Sequence, residues 1–235
     1  MAKSGIFIVV DGIDGAGKTT QVQRFCDLFR RAKEEVLCSK EPTSGRWGQE
    51  LRRSAQAGRL DPAEELDLFI RDRQEHVTEV IQPALDAGSV VIVDRYFYST
   101  IAYQGTRGAD VESLSAQMRD LFPIPDMAFF LDLPVALAME RIESERGDAP
   151  NEFEKADALQ KCRAVFESLA HFDEVELIDS RPSIDDVTKA IGNALRDGPL
   201  VKKRCRKPYE CDPLYCAFRK AGECEWANLS AALPA

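Results

Sequence analysis

The chain has 235 residues, 44% hydrophobic and 30% charged, with 31 basic against 40 acidic side chains and a net charge of −9. That length and balance suit one sizeable α/β domain with a real core plus an appendage. The acidic balance argues against broad nucleic-acid binding, and the short apolar run near the start, broken by Asp11, argues against a signal peptide or membrane span. Seven cysteines without an export signal predict reduced thiols in a cytoplasm.

Ile6 to Val10 is β-branched-rich and apolar on both parities, the pattern of a strand buried on both faces. A helix is expected from Thr19 to Lys33, with Val22, Phe25, Cys26 and Phe29 at helical spacing. Val36 to Cys38 reads as a strand running into the loop Glu41 to Gly45, then Trp47 to Ala57 as a helix ended by Gly58. A single long helix is expected from Ala63 to Ala87, capped by Gly88. Val90 to Val93 is a third strand, followed by helical stretches at Ser99–Tyr103 and Val111–Leu121 and a break at Pro123 and Pro125. Met127 to Leu133 is a fourth strand, and Pro134 fits the first turn of a helix reaching Glu145. After the loop Gly147 to Pro150 come a helix to Leu169, a strand Val175 to Ile178 and a helix Ile184 to Leu195. Strand and helix alternate throughout, which predicts a five-stranded parallel sheet flanked by helices, a three-layer α/β fold.

Gly12-Ile13-Asp14-Gly15-Ala16-Gly17-Lys18-Thr19-Thr20 joins the first strand to the first helix and has the form GxxxxGK[ST]. Glycines permit a tight turn whose N–H groups point inward around an anion, and the helix start adds the positive end of its dipole. Lys18 would reach the β- and γ-phosphates of a nucleoside triphosphate, and the Thr19 hydroxyl would hold Mg²⁺. Asp94, closing an apolar strand, can reach the same metal, and Arg95 beside it is poised for a second phosphate. Phe69, Arg73 and His76 fall at i, i+4 and i+7 on one helix face. They suit either a base-reading pair or a core phenylalanine beside a snorkelling arginine.

Four motifs occur in order: Asp11 to Thr20, Glu41-Pro42-Thr43, Leu68 to His76, and Asp94 to Gly105. Over residues 5–196 the chain resembles the thymidylate kinase family of P-loop nucleoside monophosphate kinases. The resemblance implies ATP- and Mg²⁺-dependent phosphorylation of dTMP to dTDP. By the same resemblance Phe69 stacks on thymine, Arg73 bonds a thymine carbonyl, Gln104 contacts the base and Ser99 lines its pocket. Tyr103 lies against C2′, where it favours deoxyribose. Arg95 holds the acceptor phosphate, Asp14 takes the 3′-hydroxyl or assists the metal, and Glu41 sits near sugar and metal through water. A homodimer is implied as well.

Some family members carry a catalytic arginine inside the phosphate loop, where this chain has Asp14-Gly15-Ala16-Gly17. The resemblance is therefore to the class whose lid supplies it. In the candidate lid, about 141–154, many relatives show Asp-Arg before the final aromatic-Glu pair, where this chain has Pro150-Asn151. That leaves Arg141 and Arg146, with Arg146 preferred. The loop Thr43 to Gly48 is longer and more basic than a plain glycine loop, and Arg46 is the candidate second clamp on the acceptor phosphate, with Arg52 and Arg53 as rivals. Competing readings are a kinase for another nucleoside monophosphate, a non-catalytic nucleotide-binding module, and a chain whose tail does the biological work. No NKxD motif supports a guanine-reading switch.

Gly198-Pro199 marks the expected boundary between a kinase domain (1–198) and an extension (199–235). Residues 1–199 carry 24 basic against 36 acidic side chains, residues 200–235 seven against four. Cys205, Cys211, Cys216 and Cys224 cluster in that extension and suggest a tetrahedral zinc site. An iron–sulfur cluster and four packed thiols are the alternatives. Cys26, Cys38 and Cys162 read as separate core or surface thiols.

Overall fold

A computed structural model of the chain describes residues 5–146 and 156–197. Strand β1 (Ile6–Asp11) is buried along its whole length, as a run apolar on both parities requires. It pairs in parallel with β3 (Val90–Asp94) on one side and β4 (Met127–Asp132) on the other. β2 (Val36–Lys40) and β5 (Val175–Asp179) form the edges, giving the all-parallel order β2-β3-β1-β4-β5. Parallel neighbours need crossovers, and the helices that supply them cover both faces. Val10 stands opposite Asp94, so the carboxyl ends of β1 and β3 reach the same rim.

Helix α1 (Lys18–Arg31) buries Val22, Phe25, Cys26 and Phe29 against the sheet. α2 (Arg46–Ala57) ends at Gly58 in a left-handed conformation. α3 (Pro62–His76) begins with Pro62, whose missing N–H costs nothing there, and Asp61 caps it through the Ala63 N–H at 2.9 Å. The single helix expected over 63–87 is in three pieces: α3, a π turn at Val77–Ile81, and α4 (Gln82–Asp86). Pro83 is the physical reason. It has no N–H for the carbonyl four residues back and its ring would strike that carbonyl, so the preceding turn widens.

α5 (Phe97–Gly105) and α6 (Val111–Leu121) lie between β3 and β4. α7 (Val135–Arg146), α8 (Ala156–Leu169) and α9 (Ile184–Asp197) complete the described chain. Edge-to-face ring pairs Phe7–Tyr96, Tyr98–Phe130 and Phe130–Phe166, with centroids 5.0–5.1 Å apart, lock the start of α5 onto β1, β4 and α8. Each such pair contributes about 0.5–1.5 kcal/mol beyond its buried area.

The expectation of separate thiols is corrected at two positions: Cys26 of α1 and Cys38 of β2 form a disulfide. Twelve residues separate them in the chain, but α1 packs back across the edge strand and brings them together. Cys162 is a buried free thiol. The greater part of the lid, the boundary at 198 and the four clustered cysteines Cys205, Cys211, Cys216 and Cys224 lie outside the described residues.

Candidate active site

The turn between β1 and α1 is shaped by its glycines. Gly15 has φ +77, and a Cβ there would stand 2.6 Å from the Ala138 carbonyl oxygen, so only glycine fits this bend. Lys18 follows at the helix start, 6% exposed, and donates from Nζ to the Ile13 carbonyl at 2.7 Å. Burial, reinforced by the charge of Arg95, pushes the Lys18 ammonium down to about 8, against the pull of Asp14, Asp94 and Asp11.

The Thr19 hydroxyl donates to Asp94 Oδ2 at 2.5 Å, while the buried Asp94 Oδ1 has no partner among the described residues. A hydroxyl and an unsatisfied carboxylate oxygen side by side form a hard oxygen donor pair, which fits Mg²⁺ completed by phosphate oxygens and water.

Asp11, which the sequence reading left out of the site, organises the segment beyond β3. Fully buried, it accepts from the N–H groups of Tyr96 and Ser99, both at 3.1 Å, and from the Ser99 hydroxyl at 2.6 Å. Burial raises its carboxyl above the usual range, although Arg95, Ser99 and Lys18 draw it back. Held this way, Arg95 takes φ +68 and turns its guanidinium toward the phosphate loop. There it ion-pairs with Asp14 and donates to Ser99 Oγ at 3.1 Å. The Tyr103 hydroxyl donates to the other Asp14 oxygen at 2.9 Å. The structure thus joins Asp14, Arg95, Ser99 and Tyr103 at one point beside Lys18.

From that point α3 and α5 run on in contact with one another. Glu65, Phe69 and Arg73 share one face of α3 at i, i+4 and i+8, and Thr100 and Gln104 share one face of α5. Arg73 donates to Thr100 Oγ1 at 2.9 Å at one end, and Gln104 donates to Glu65 Oε2 at 2.7 Å at the other. Phe69 lies between these cross-links and is half-buried. Arg73 is 1% exposed and bonded through Nε to Glu41 Oε2 at 2.8 Å, and the other Glu41 oxygen meets His76 Nδ1 at 3.0 Å. The Arg73 guanidinium and a His76 ring nitrogen therefore converge on one buried carboxylate, which fixes the arginine plane. From Phe69, Arg73 and His76 the spacing shows only a shared face. It could not show that Glu41, 32 positions from Arg73, anchors it.

The loop from Glu41 to Gly45 is held by Asp72, which accepts from the Thr43 N–H at 2.8 Å and the Thr43 hydroxyl at 2.6 Å. Gly48 lets α2 press onto it, since a Cβ there would sit 2.0 Å from the Thr43 carbonyl oxygen. Arg46, first in α2, is exposed, lies over the Trp47 ring at 4.2 Å and stands 3.7 Å from Glu75. Arg52 donates to the Pro42 and Thr43 carbonyls, and Arg53 pairs with Glu50 at 2.9 Å. Of the three basic candidates, Arg46 has the most open side chain with no backbone carbonyl bond.

On the opposite side of the phosphate loop, Arg141 of α7 donates to the Ser180 carbonyl at 3.0 Å and the Gly15 carbonyl at 3.4 Å. It lines a cavity of about 310 Å³ with Gly17, Thr20, Ser180, Pro182 and Ile184. The Arg146 side chain lies outside the described residues. The site thus has a cavity beside Arg141 on one side of the phosphate loop and the cross-linked faces of α3 and α5 on the other, with the Asp14–Arg95 pair next to Lys18.

Comparison with known proteins gives the same reading throughout. The family model described as thymidylate kinase matches residues 10–191. The chain is 46% identical over 189 residues to a thymidylate kinase of Xanthomonas campestris pv. campestris (strain B100), covering 80% of this chain and 82% of that one. It is 45% identical to one from Xanthomonas oryzae pv. oryzae (strain PXO99A), covering 79% and 80%. To one from Desulfotalea psychrophila (strain LSv54 / DSM 12343) the identity is 42%, covering 80% and 92%.

Proposed function

This chain belongs to the thymidylate kinase family, and from that premise we propose how its residues serve the reaction. It transfers the terminal phosphoryl group of ATP to dTMP, giving dTDP and ADP. The observation that carries the arrangement is Arg95, whose guanidinium bridges the phosphate loop at Asp14 and helix α5 at Ser99.

ATP lays its phosphates in the loop Gly12 to Thr20, with its nucleoside in the recess beside Arg141. The dTMP ring stacks on Phe69, with Arg73 donating to a carbonyl, Gln104 contacting the ring and Ser99 lining the pocket. Tyr103 lies where a 2′-hydroxyl would stand, and the position disfavours ribose. Glu41 fixes Arg73 near the sugar, and Asp14 takes the 3′-hydroxyl. Arg95 and Arg46 grip the acceptor phosphate from two sides.

The acceptor is a phosphate oxygen, anionic already, so no side-chain base is required. The transition state spreads negative charge over the moving group, and positioned cations stabilise it. Lys18 supplies that charge from the loop and Arg146 from the lid. Thr19 and Asp94 would hold Mg²⁺, which neutralises phosphate oxygens when bound. A coupled assay of ADP release with ATP against dTMP, dUMP, UMP and AMP tests the assignment. Turnover of dTMP no better than of AMP would refute it.

Three further readings go with this one. The protein works in the cytoplasm, where ATP and nucleotides are met, and as a homodimer, which light scattering on the purified protein checks. Residues 199–235 form an extension separate from the kinase domain 1–198. Zinc bound through Cys205, Cys211, Cys216 and Cys224 is refuted if the purified protein carries no near-stoichiometric metal.

A further inference from the structure

We propose that Glu65 sets which end of the Gln104 amide faces the base slot, and so selects pyrimidines that carry a proton on N3. The inference rests on Phe69 being the platform for the base.

Glu65, in the first turn of α3, is 1% exposed. Its carboxylate accepts from Arg107 Nη1 at 2.8 Å, from Arg59 Nη2 at 2.8 Å and Nε at 3.2 Å, and from Gln104 Nε2 at 2.7 Å. Arg107 also donates to the Leu60 carbonyl at 2.8 Å. The turn between α2 and α3 and the end of α5 are thereby braced around this one carboxylate. Both Glu65 oxygens act as acceptors in this arrangement, from Arg59, Arg107 and Gln104.

A glutamine amide has one donating and one accepting end. The Gln104 NH₂ is committed to Glu65, because turning the amide over would set its carbonyl oxygen against the Glu65 oxygen, two acceptors facing one another in a buried site. The carbonyl Oε1 is therefore the end left for a ligand. Across Phe69 from it stands Arg73, which can only donate. A base between them meets a donor at one end and an acceptor at the other. Thymine and uracil match, offering the O4 carbonyl to Arg73 and the N3 proton to Gln104. Cytosine mismatches twice, presenting an amino group to the arginine and a lone pair to the carbonyl oxygen. Glu65 touches no substrate in this arrangement and is a positioning residue.

Glu65→Gln keeps the shape of the side chain but can present either end of its own amide, which frees Gln104 to turn over. The ratio of kcat/KM for dTMP to that for dCMP should fall at least about tenfold, the effect of one buried polar mismatch. The KM for ATP should stay within about twofold. A ratio unchanged while turnover of both nucleotides drops together would make Glu65 a structural brace only and overturn the proposal. If Glu65→Gln does not fold, the same ratio is read on Gln104→Leu, where the proposal again requires a fall and constancy overturns it. Failure of the unaltered protein to turn over dTMP is a separate result, and it would overturn the underlying reaction instead.

Discussion

Asp14 and Arg95 stand 81 positions apart in the chain and meet as an ion pair where the phosphate loop touches α5. This contact holds the arginine beside Lys18, where the proposed reaction places the acceptor phosphate. The left-handed backbone of Arg95 is upheld by bonds from its neighbours Tyr96 and Ser99 to Asp11, so the fold maintains an unfavourable local conformation for the sake of that aim.

Arg95→Ala should lower kcat/KM for dTMP by about 10²–10³, the usual cost of removing a positioned transition-state charge. The KM for ATP should change little. Steady-state kinetics with each substrate varied in turn checks the split, and equal effects on both substrates would contradict it.

Lys18 sets a pH dependence. Its ammonium is lowered to about 8 in the ligand-free protein, from an ordinary 10.5, by burial first and Arg95 second. A bound triphosphate favours the charged form, so ATP binding should take up a proton above pH 8. The Kd for ATP should then weaken by up to about tenfold per pH unit. The sign for stability follows. Between pH 8 and 10.5 the unfolded chain holds this proton and the folded one does not, so the contribution of Lys18 to stability rises with pH there. Calorimetry in buffers of different ionisation enthalpy measures the uptake, and Lys18→Ala should abolish both transfer and uptake.

Arg73 and Arg46 should respond oppositely to truncation. Arg73→Ala strands Glu41 in the interior and should cost about 3–5 kcal/mol of stability, besides raising the KM for dTMP far more than that for ATP. Arg46 is exposed, and Arg46→Ala should leave stability within about 0.5 kcal/mol while reducing kcat/KM for dTMP. Chemical denaturation paired with kinetics separates the two, and a near-normal efficiency for Arg46→Ala would remove it from the phosphate clamp.

The Cys26–Cys38 bond closes a loop of twelve residues, worth about 3 kcal/mol by loop-closure entropy. Cys38→Ser should therefore lower the melting temperature of oxidised protein and leave that of fully reduced protein nearly unchanged. Melts with and without dithiothreitol, together with a thiol count, check this.

Local spacing made the strands, most helices and the phosphate loop legible, because a period of two or of 3.6 and a glycine-rich turn are properties of neighbouring residues. The same locality put Phe69 and Arg73 on one face and Asp94 at a strand end. It misread the helix over 63–87 only where Pro83 widens a turn, a boundary effect of a single ring. What decides the chemistry came from the sheet order. By setting β1 between β3 and β4 and folding α3 against α5, it brought Asp11 to Ser99, Glu41 to Arg73, Glu65 to Gln104 and Cys26 to Cys38. No periodicity within a helix or strand encodes such pairs, because each joins side chains distant along the chain that meet only through how the elements stack.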